Sequence, residues 1–251
     1  MKIALISTYD DVTSPSVRLL SSYVKSKGHK VKLLFLLMNE KAGQVAQFDR
    51  SCSAAALNQI VDQCRDCDLV GVSLMTNFFG KAVHVTRQLK ESIKAPVVWG
   101  GIHPTVSPEE CLEYADIVCV GEGEQAMVEL ISKMEAGHSP VDTPNLWFRT
   151  PEGVIKNPST HLISDLDGLP FPDYEFHDDY AWDIDSDRFV SLDAALLEKV
   201  ARRAPHVHNA FSYQTLTSRG CPYHCSYCCN NALMAIYSGK MDRRVLKKIQ
   251  I

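Results

Sequence analysis

Residues Ala95–Glu110 read APVVWGGIHPTVSPEE, and the order of features in this stretch decides the fold class. The run from Ala95 to Trp99 is too short for an amphipathic helix and carries paired valines, so it reads as a buried strand. It stops at Gly100-Gly101, where a chain can turn tightly. Ser107-Pro108-Glu109-Glu110 then reads as a capping box with proline at the first helical position. Strand, glycine turn and helix in succession form the unit of a parallel sheet covered on both faces.

The same unit recurs on either side. Downstream, DIVCVGEGE (Asp116–Glu124) reads as a strand with its exit loop, and Met127, Leu130, Ile131 and Met134 fall at helical spacing. Upstream, LVGVSLM (Leu69–Met75) is a strand followed by the helical stripe Ala82, Val85, Leu89 and Ile93. HKVKLLFL (His29–Leu36) is another, followed by Leu57, Ile60, Val61 and Cys64. KIALIS (Lys2–Ser7) is the first strand, and the helix opened by Ser14-Pro15 stops near Lys27-Gly28. Residues 1–138 are therefore expected to form an α/β domain, a doubly wound parallel five-stranded sheet of flavodoxin-like or Rossmann-like type. No G-x-G-x-x-G follows the first strand, which argues against a nicotinamide cofactor.

Beyond Gly137 the pattern changes. NLWFRTPEGVIKNP (Asn145–Pro158) reads as a hairpin turning at Pro151-Glu152-Gly153. LDGLPFPDYEFHDDYAWDIDSD (Leu166–Asp187) is proline-rich, aromatic and acidic with no helical period, and reads as a connector. LDAALLEKVARR (Leu192–Arg203) is helix-like, and FSYQTLTSRG (Phe211–Gly220) alternates as a strand. NALMAIYSGKMDRRVLKKIQI (Asn231–Ile251) reads as one helix and part of another. Residues 139–210 are thus expected to be a linker with a hairpin and a helix, and 211–251 the start of a further domain.

Composition bounds the function. A chain of 251 residues, 45% of them hydrophobic, is ordinary for a globular protein. Its net charge of -4 comes from well-mixed charges, so no basic face points to nucleic acid as a partner. MKIALISTYDD is a buried strand and not a signal peptide, and no run of about 18 apolar residues spans a membrane. A cytoplasmic location is expected. In that compartment nine cysteines, an odd number, read as reduced thiols or metal ligands and not as a disulfide framework.

Four of those cysteines crowd into SRGCPYHCSYCCNN (Ser218–Asn231). Cys221, Cys225 and Cys228 are spaced C-x3-C-x2-C. Three soft thiolates in so compact a loop suit three irons of a 4Fe-4S cluster, leaving one iron open to an outside ligand. A structural zinc site is the alternative, with Cys229 or His224 as fourth ligand. Cys64 and Cys67 form a second C-x2-C, but Cys64 continues an apolar helical face, so both read as core. Cys52, Cys111 and Cys119 are isolated. His206 and His208 lie in a connector, the acids from Asp173 to Asp187 read as a solvated linker, and Asp10 and Asp11 as polar loop termini. In a doubly wound sheet, ligands sit at the carboxyl ends of the strands, here the loops SLMTNFFG, GGIHPTVSP and GEGEQ. Gly100, Gly101, Gly121 and Gly123 either make tight turns there or let backbone approach a bulky ligand.

GCPYHCSYC, with Tyr227 before the last cysteine, a strand before it and a helix after it, resembles the cluster loop of radical S-adenosylmethionine enzymes. The resemblance implies that Cys221, Cys225 and Cys228 ligate the cluster, that S-adenosylmethionine chelates the unique iron, and that Tyr227 lies beside its adenine. Cys229 matches no ligand position. GVSLMT, VVWGGIHPTVSPEE, ADIVCVGEGEQAMVELI and LDGLPFPDYE, in this order before TSRGCPYHCSYC, resemble the cobalamin-binding domain and linker of cobalamin-dependent radical S-adenosylmethionine enzymes. By that likeness Ser73, Met75, Thr76, Gly100, Gly101, Gly121 and Gly123 line a cobalamin, with His103 and Thr105 in the adjoining loop.

The implied cofactors are a 4Fe-4S cluster, S-adenosylmethionine and cobalamin. The implied chemistry is methyl transfer to an unreactive carbon of a small-molecule substrate through a 5'-deoxyadenosyl radical, with an electron donor such as flavodoxin or ferredoxin. Cyclisation is another outcome in such enzymes. A non-catalytic cobalamin-binding or sensing module is the alternative function. STYDDVTSPSV departs from the D-x-H-x-x-G of cobalamin domains that ligate cobalt from below, so no histidine from that loop is expected on the metal. The radical domain should form a (β/α) barrel, of which 211–251 would be only the first strand, the cluster loop and a helix or so. A chain ending there is expected to be inactive alone.

Overall fold

The computed structural model describes residues 1–37, 52–183, 185–201, 216–223, 225–237 and 244–245. His206, His208, His224 and the beginning of the Phe211–Gly220 strand lie outside them.

The expected strand-helix units form in order. They are β1 (Lys2–Ser7), α1 (Pro15–Lys25), β2 (Lys30–Phe35), α2 (Ala54–Cys64), β3 (Leu69–Ser73), α3 (Phe79–Ser92) and β4 (Val97–Gly100). The short helices α4 (Ile102–Val106) and α5 (Pro108–Cys111) follow, then β5 (Ile117–Cys119) and α6 (Glu124–Glu135). Pro108 opens α5 as expected, but the Ser107 side chain makes no capping hydrogen bond. It is at once the residue that follows α4 and the one that precedes α5, at φ -135° and ψ 56°, so of the expected helix start only the proline is realised.

Strands β2, β1, β3, β4 and β5 lie side by side and parallel. Alternate residues of β1 face opposite layers: Ile3 and Leu5 pack with Val17, Val24, Met127 and Leu130, whereas Ala4 and Ile6 pack with Ile60, Val85 and Leu89. Helices α1 and α6 therefore cover one face and α2 and α3 the other. The register brings Ser7, Ser73 and Gly100 level at the carboxyl ends of β1, β3 and β4, which sets the edge on which a ligand site forms.

The sheet is larger than the five expected strands: among the described residues it has nine, in the order β7-β6-β5-β4-β3-β1-β2-β8-β9. The hairpin β6 (Leu146–Thr150) and β7 (Gly153–Lys156) adds antiparallel to β5, turning where the sequence indicated. The other edge corrects the connector reading. Asp179–Asp183 forms β8, parallel to β2, and Arg188–Ser191 forms β9, antiparallel to β8. The helix expected after it is α7 (Ala194–Ala201).

What brings β8 home is a buried charge cluster. Arg18 on α1 is fully buried and donates to the Val12 carbonyl at 2.8 Å and the Asp173 carbonyl at 2.5 Å, with Asp179 at 3.3 Å. Its guanidinium stacks over Phe35 and Tyr174 at 4.8 and 4.3 Å. Lys25 and the Ser21 hydroxyl satisfy the Asp173 carboxylate. Asp173 and Asp179 are thus spent on α1, whereas Glu175, Asp178, Asp185 and Asp187 are exposed, so the solvated reading holds for those four acids only.

Near the carboxyl terminus, β10 (Ser218–Arg219) pairs antiparallel with β11 (Arg244–Val245), and α8 (Asn230–Ile236) follows the cysteine loop. Arg244-Val245 is extended where a helix was expected. A parallel barrel strand is not what β10 forms among the described residues.

Candidate cofactor site

A cavity of about 380 Å³ opens at the carboxyl ends of β1, β3, β4 and β5. It runs down one face of the sheet between α1 and α6, where Leu5, Val17, Leu20, Val98 and Met127 give it apolar walls. Gly71, in the middle of β3, leaves the wall flat; a Cβ there would stand 2.8 Å from the Leu5 side chain. Sequence reading passed over Gly71, although glycine inside a strand often marks a close approach. Tyr9, just after β1, also lines the cavity and shares a 3.3 Å hydrogen bond with the Ser73 hydroxyl. Burial raises the Tyr9 phenol above its ordinary range.

Of the residues singled out from sequence, Ser73, Gly100, Gly101, Thr105, Gly121 and Gly123 line this cavity. Thr105 braces two of its loops: its hydroxyl donates to the Gly101 carbonyl at 2.7 Å and accepts from the Gly121 amide at 3.1 Å. Gly101 and Gly121 have φ of 109° and 99°, a region open to glycine. Met75, Thr76 and His103 lie outside the lining. Met75 is exposed. His103 is buried beside the Phe79 ring, with Nδ1 3.1 Å from the Thr76 hydroxyl and Nε2 3.4 Å from Glu110. Burial, only partly offset by Glu110, holds its pKa below the usual histidine value, so it braces the loop as a neutral ring. Asp11 accepts from the Thr13 amide at 2.7 Å, and Asp10 lies 3.3 Å from the buried Lys81 ammonium, which also donates to the Thr8 and Leu36 carbonyls.

The far side of the cavity is closed by the segment that carries the cysteines: Leu216, Arg219, Gly220, Asn230, Leu233 and Tyr237. Two acids on the β5 exit loop hold it there. Arg219 forms ion pairs with Glu124 and, at 3.3 Å, with Glu122. Arg244 pairs with Glu122 at 2.6 Å and donates to the Ile163 carbonyl. The Tyr237 hydroxyl accepts from the Glu122 amide at 2.7 Å and sits where a Gly121 side chain would be, 2.0 Å from its Cβ position. Burial alone would lower the Arg219 pKa, but the charges of Glu124 and Glu122 outweigh it and hold it above its ordinary value. Burial pushes the Tyr237 phenol up to about 12. Burial, with the charge of Glu124, pushes the Cys119 thiol in the cavity wall up to about 12, so it stays protonated. Sequence reading missed these partners, which are far apart along the chain.

Cys221, Cys225 and Cys228 are partly exposed and Cys229 is exposed; all the described cysteines are free thiols. The Cys228 amide donates to the Cys225 carbonyl at 3.0 Å, as does the Asn231 side chain at 2.9 Å, which turns the loop into α8. Three thiolates are the right donors for iron and sulfide. Among the described residues, however, no group of three ligands is already gathered to hold an ion. Tyr227 is 92% exposed and touches neither cavity nor core. Cys64 and Cys67 are buried core thiols, as read.

A doubly wound sheet with an apolar, glycine-lined cavity at its carboxyl edge defines a cofactor-binding α/β domain. Residues 1–131 match the family described as B12 binding domain, and the chain belongs to that family. It is 27% identical over 192 residues to an uncharacterized methyltransferase of Pyrococcus horikoshii, covering 74% of this chain and 37% of that protein. It is 26% identical over 163 residues to the bacteriochlorophyllide d C-8(2)-methyltransferase of Chlorobaculum tepidum, covering 65% of this chain and 28% of the relative. The fold is shared with the radical S-adenosylmethionine methyltransferase TsrM of Kitasatospora setae, solved with cobalamin and a 4Fe-4S cluster bound. That match has a TM-score of 0.60 and 19% identity, and covers 91% of this chain and 41% of the other. The chain thus spans well under half the length of these proteins. Among the described residues no helix is long and apolar enough to cross a membrane.

Proposed function

We propose that this chain is the cobalamin- and cluster-carrying part of a cobalamin-dependent radical S-adenosylmethionine enzyme that transfers a methyl group to an unreactive carbon of a small molecule. The observation that carries this reading is the shared wall: Gly220, which lines the cavity, immediately precedes Cys221. On this reading the cavity and the cysteine loop belong to one site.

The glycines of the β4 and β5 exit loops, with Ser73 and Thr105, would face the cobalamin, and the apolar walls between α1 and α6 would exclude water from its buried part. Cys221, Cys225 and Cys228 would hold the cluster, and Tyr227 is free to lie against a nucleotide. When bound, cobalamin supplies a transferable methyl group and the cluster supplies the electron that opens S-adenosylmethionine. A low-potential donor such as flavodoxin or ferredoxin would feed it. None of the described residues lining the cavity is a histidine. The cob(II)alamin EPR spectrum should therefore show no nitrogen splitting from a protein imidazole, and such splitting would remove this part of the reading.

Hydroxocobalamin mixed with the chain should be retained through gel filtration. Anaerobic reconstitution should add about four irons per chain. Replacing Cys221, Cys225 and Cys228 by alanine should abolish the iron while the cobalamin stays. Loss of all cobalamin on the column would sink the proposal.

A further inference from the structure

We propose that Glu122 and Glu124 are positioning residues that, with Arg219, Arg244 and Tyr237, latch the cysteine-bearing segment onto the β5 exit loop and couple its docking to occupancy of the cavity. The coupling half of this inference rests on the cofactor reading; the latch itself does not.

The argument starts from the burial of the charges. The side chains of Glu122, Glu124, Arg219 and Arg244 are 12%, 7%, 16% and 10% exposed, so each carboxylate needs its guanidinium and neither can turn to bulk water in place. The same carboxylates reach further. Glu122 accepts from the Ile163 amide at 2.8 Å, and its own carbonyl accepts from Asn145 at 3.1 Å. The loop is therefore also fixed from the sheet side, by contacts that do not involve the cysteine segment. Gly121 then leaves a socket that the Tyr237 ring fills, with the Glu122 amide as donor to its hydroxyl. Arg219 and Arg244 flank the cysteine loop in sequence and are paired with each other through β10 and β11, so both limbs of the loop are held at once.

The second step follows from where these groups lie. Gly121, Glu122, Gly123 and Glu124 line the cavity on one side, and Arg219 and Tyr237 on the other. A molecule filling the cavity contacts both halves of the latch. It binds the docked arrangement in preference to the undocked one, and by linkage docking must strengthen its binding by the same factor.

Hydrogen exchange read by mass spectrometry on the whole chain tests both steps. Glu122→Gln with Glu124→Gln is expected to speed exchange of amides 230–237 about tenfold while β1 and β3 stay protected. The swap Glu124→Arg with Arg219→Glu should recover part of the protection that Glu124→Arg alone loses, which a merely structural role for one carboxylate would not produce. Tyr237→Phe keeps all three ion pairs and removes only the acceptor of the Glu122 amide. It should give a smaller rise, and it decides the matter if the double variant does not fold. Unchanged exchange at 230–237 in these variants overturns the latch. Hydroxocobalamin should slow the same amides in the parent and not in the double variant. If it is retained on the column but slows nothing, the coupling is overturned. If it is not retained, the cofactor reading fails and the variants still decide the latch.

Discussion

Gly101 and Gly121 share a positive φ but differ in what a methyl group would meet. At Gly101 a Cβ would stand 2.5 Å from the carbonyl oxygen of Leu74, the residue just past β3, whose backbone is tied through its amide to the Gly100 carbonyl at 3.0 Å and has little room to step aside. Gly101→Ala is expected to cost roughly 3 kcal/mol in urea unfolding, and an unchanged midpoint would contradict it. At Gly121 the obstacle is the Tyr237 phenol, a side chain on the residue that follows the short helix α8. Gly121→Ala should cost only about 1 kcal/mol globally, from the backbone strain. It should instead free the segment beyond β10, seen as faster tryptic cleavage after Arg219. These roles were half legible. A glycine pair at a strand end marks a close approach, but the sequence does not say whether ligand or protein is the neighbour. The same limit explains His103, Met75 and Thr76: sequence places them on the edge where the cavity opens, whereas which way each side chain turns depends on Phe79, Glu110 and solvent.

At the level of elements, β8 is the strand that pattern reading could not find. Asp179 and Asp183 bracket it, and a strand with buried acid contradicts every hydrophobic template until Arg18 is placed beside it. Arg18→Met would leave the Asp179 carboxylate buried without its counter-charge. We expect a loss of about 3–5 kcal/mol near neutral pH, with the β8–β9 edge released. The pH dependence has a definite sign. Burial already pushes the Asp179 pKa up to about 6, despite the opposing pull of Arg18. A carboxyl raised in the folded state binds protons more tightly there than in the unfolded chain, so its contribution declines as pH rises from about 4 through the folded value. Removing Arg18 raises that value further. The deficit of Arg18→Met relative to the parent should therefore grow from pH 5 to pH 8 in urea titrations. A deficit that shrinks over this range would refute the buried pairing. The parallel strands were legible because their helices repeat at regular intervals; β8 was not, because one arginine on α1 specifies it.

At the scale of the whole molecule, one sheet supports both the cavity and the segment that closes it. A ligand bridging the two should stabilise the fold as a unit. With hydroxocobalamin at a hundredfold excess over its dissociation constant, we expect about 2.7 kcal/mol of added stability and a midpoint that climbs with its concentration. A midpoint indifferent to hydroxocobalamin would mean that the molecule does not bind the folded form. The doubly wound class and the glycine-rich edge were readable because both are local and repeated. The nine-strand width was not, since it depends on strands contributed from late in the chain to both edges.

That width has a consequence for how the molecule is made. Leu33 in β2 pairs with Asp179 in β8, so β2 has no outer neighbour until residue 179 and its flanking residues have been translated. Meanwhile β1, β3, β4 and β5 can assemble in succession, and β2 waits as an open edge with its main-chain groups unpaired. A ribosome paused before residue 179 would thus hold a nascent sheet suited to edge-to-edge association, and the buried Arg18 would still be without the carboxylate it closes on.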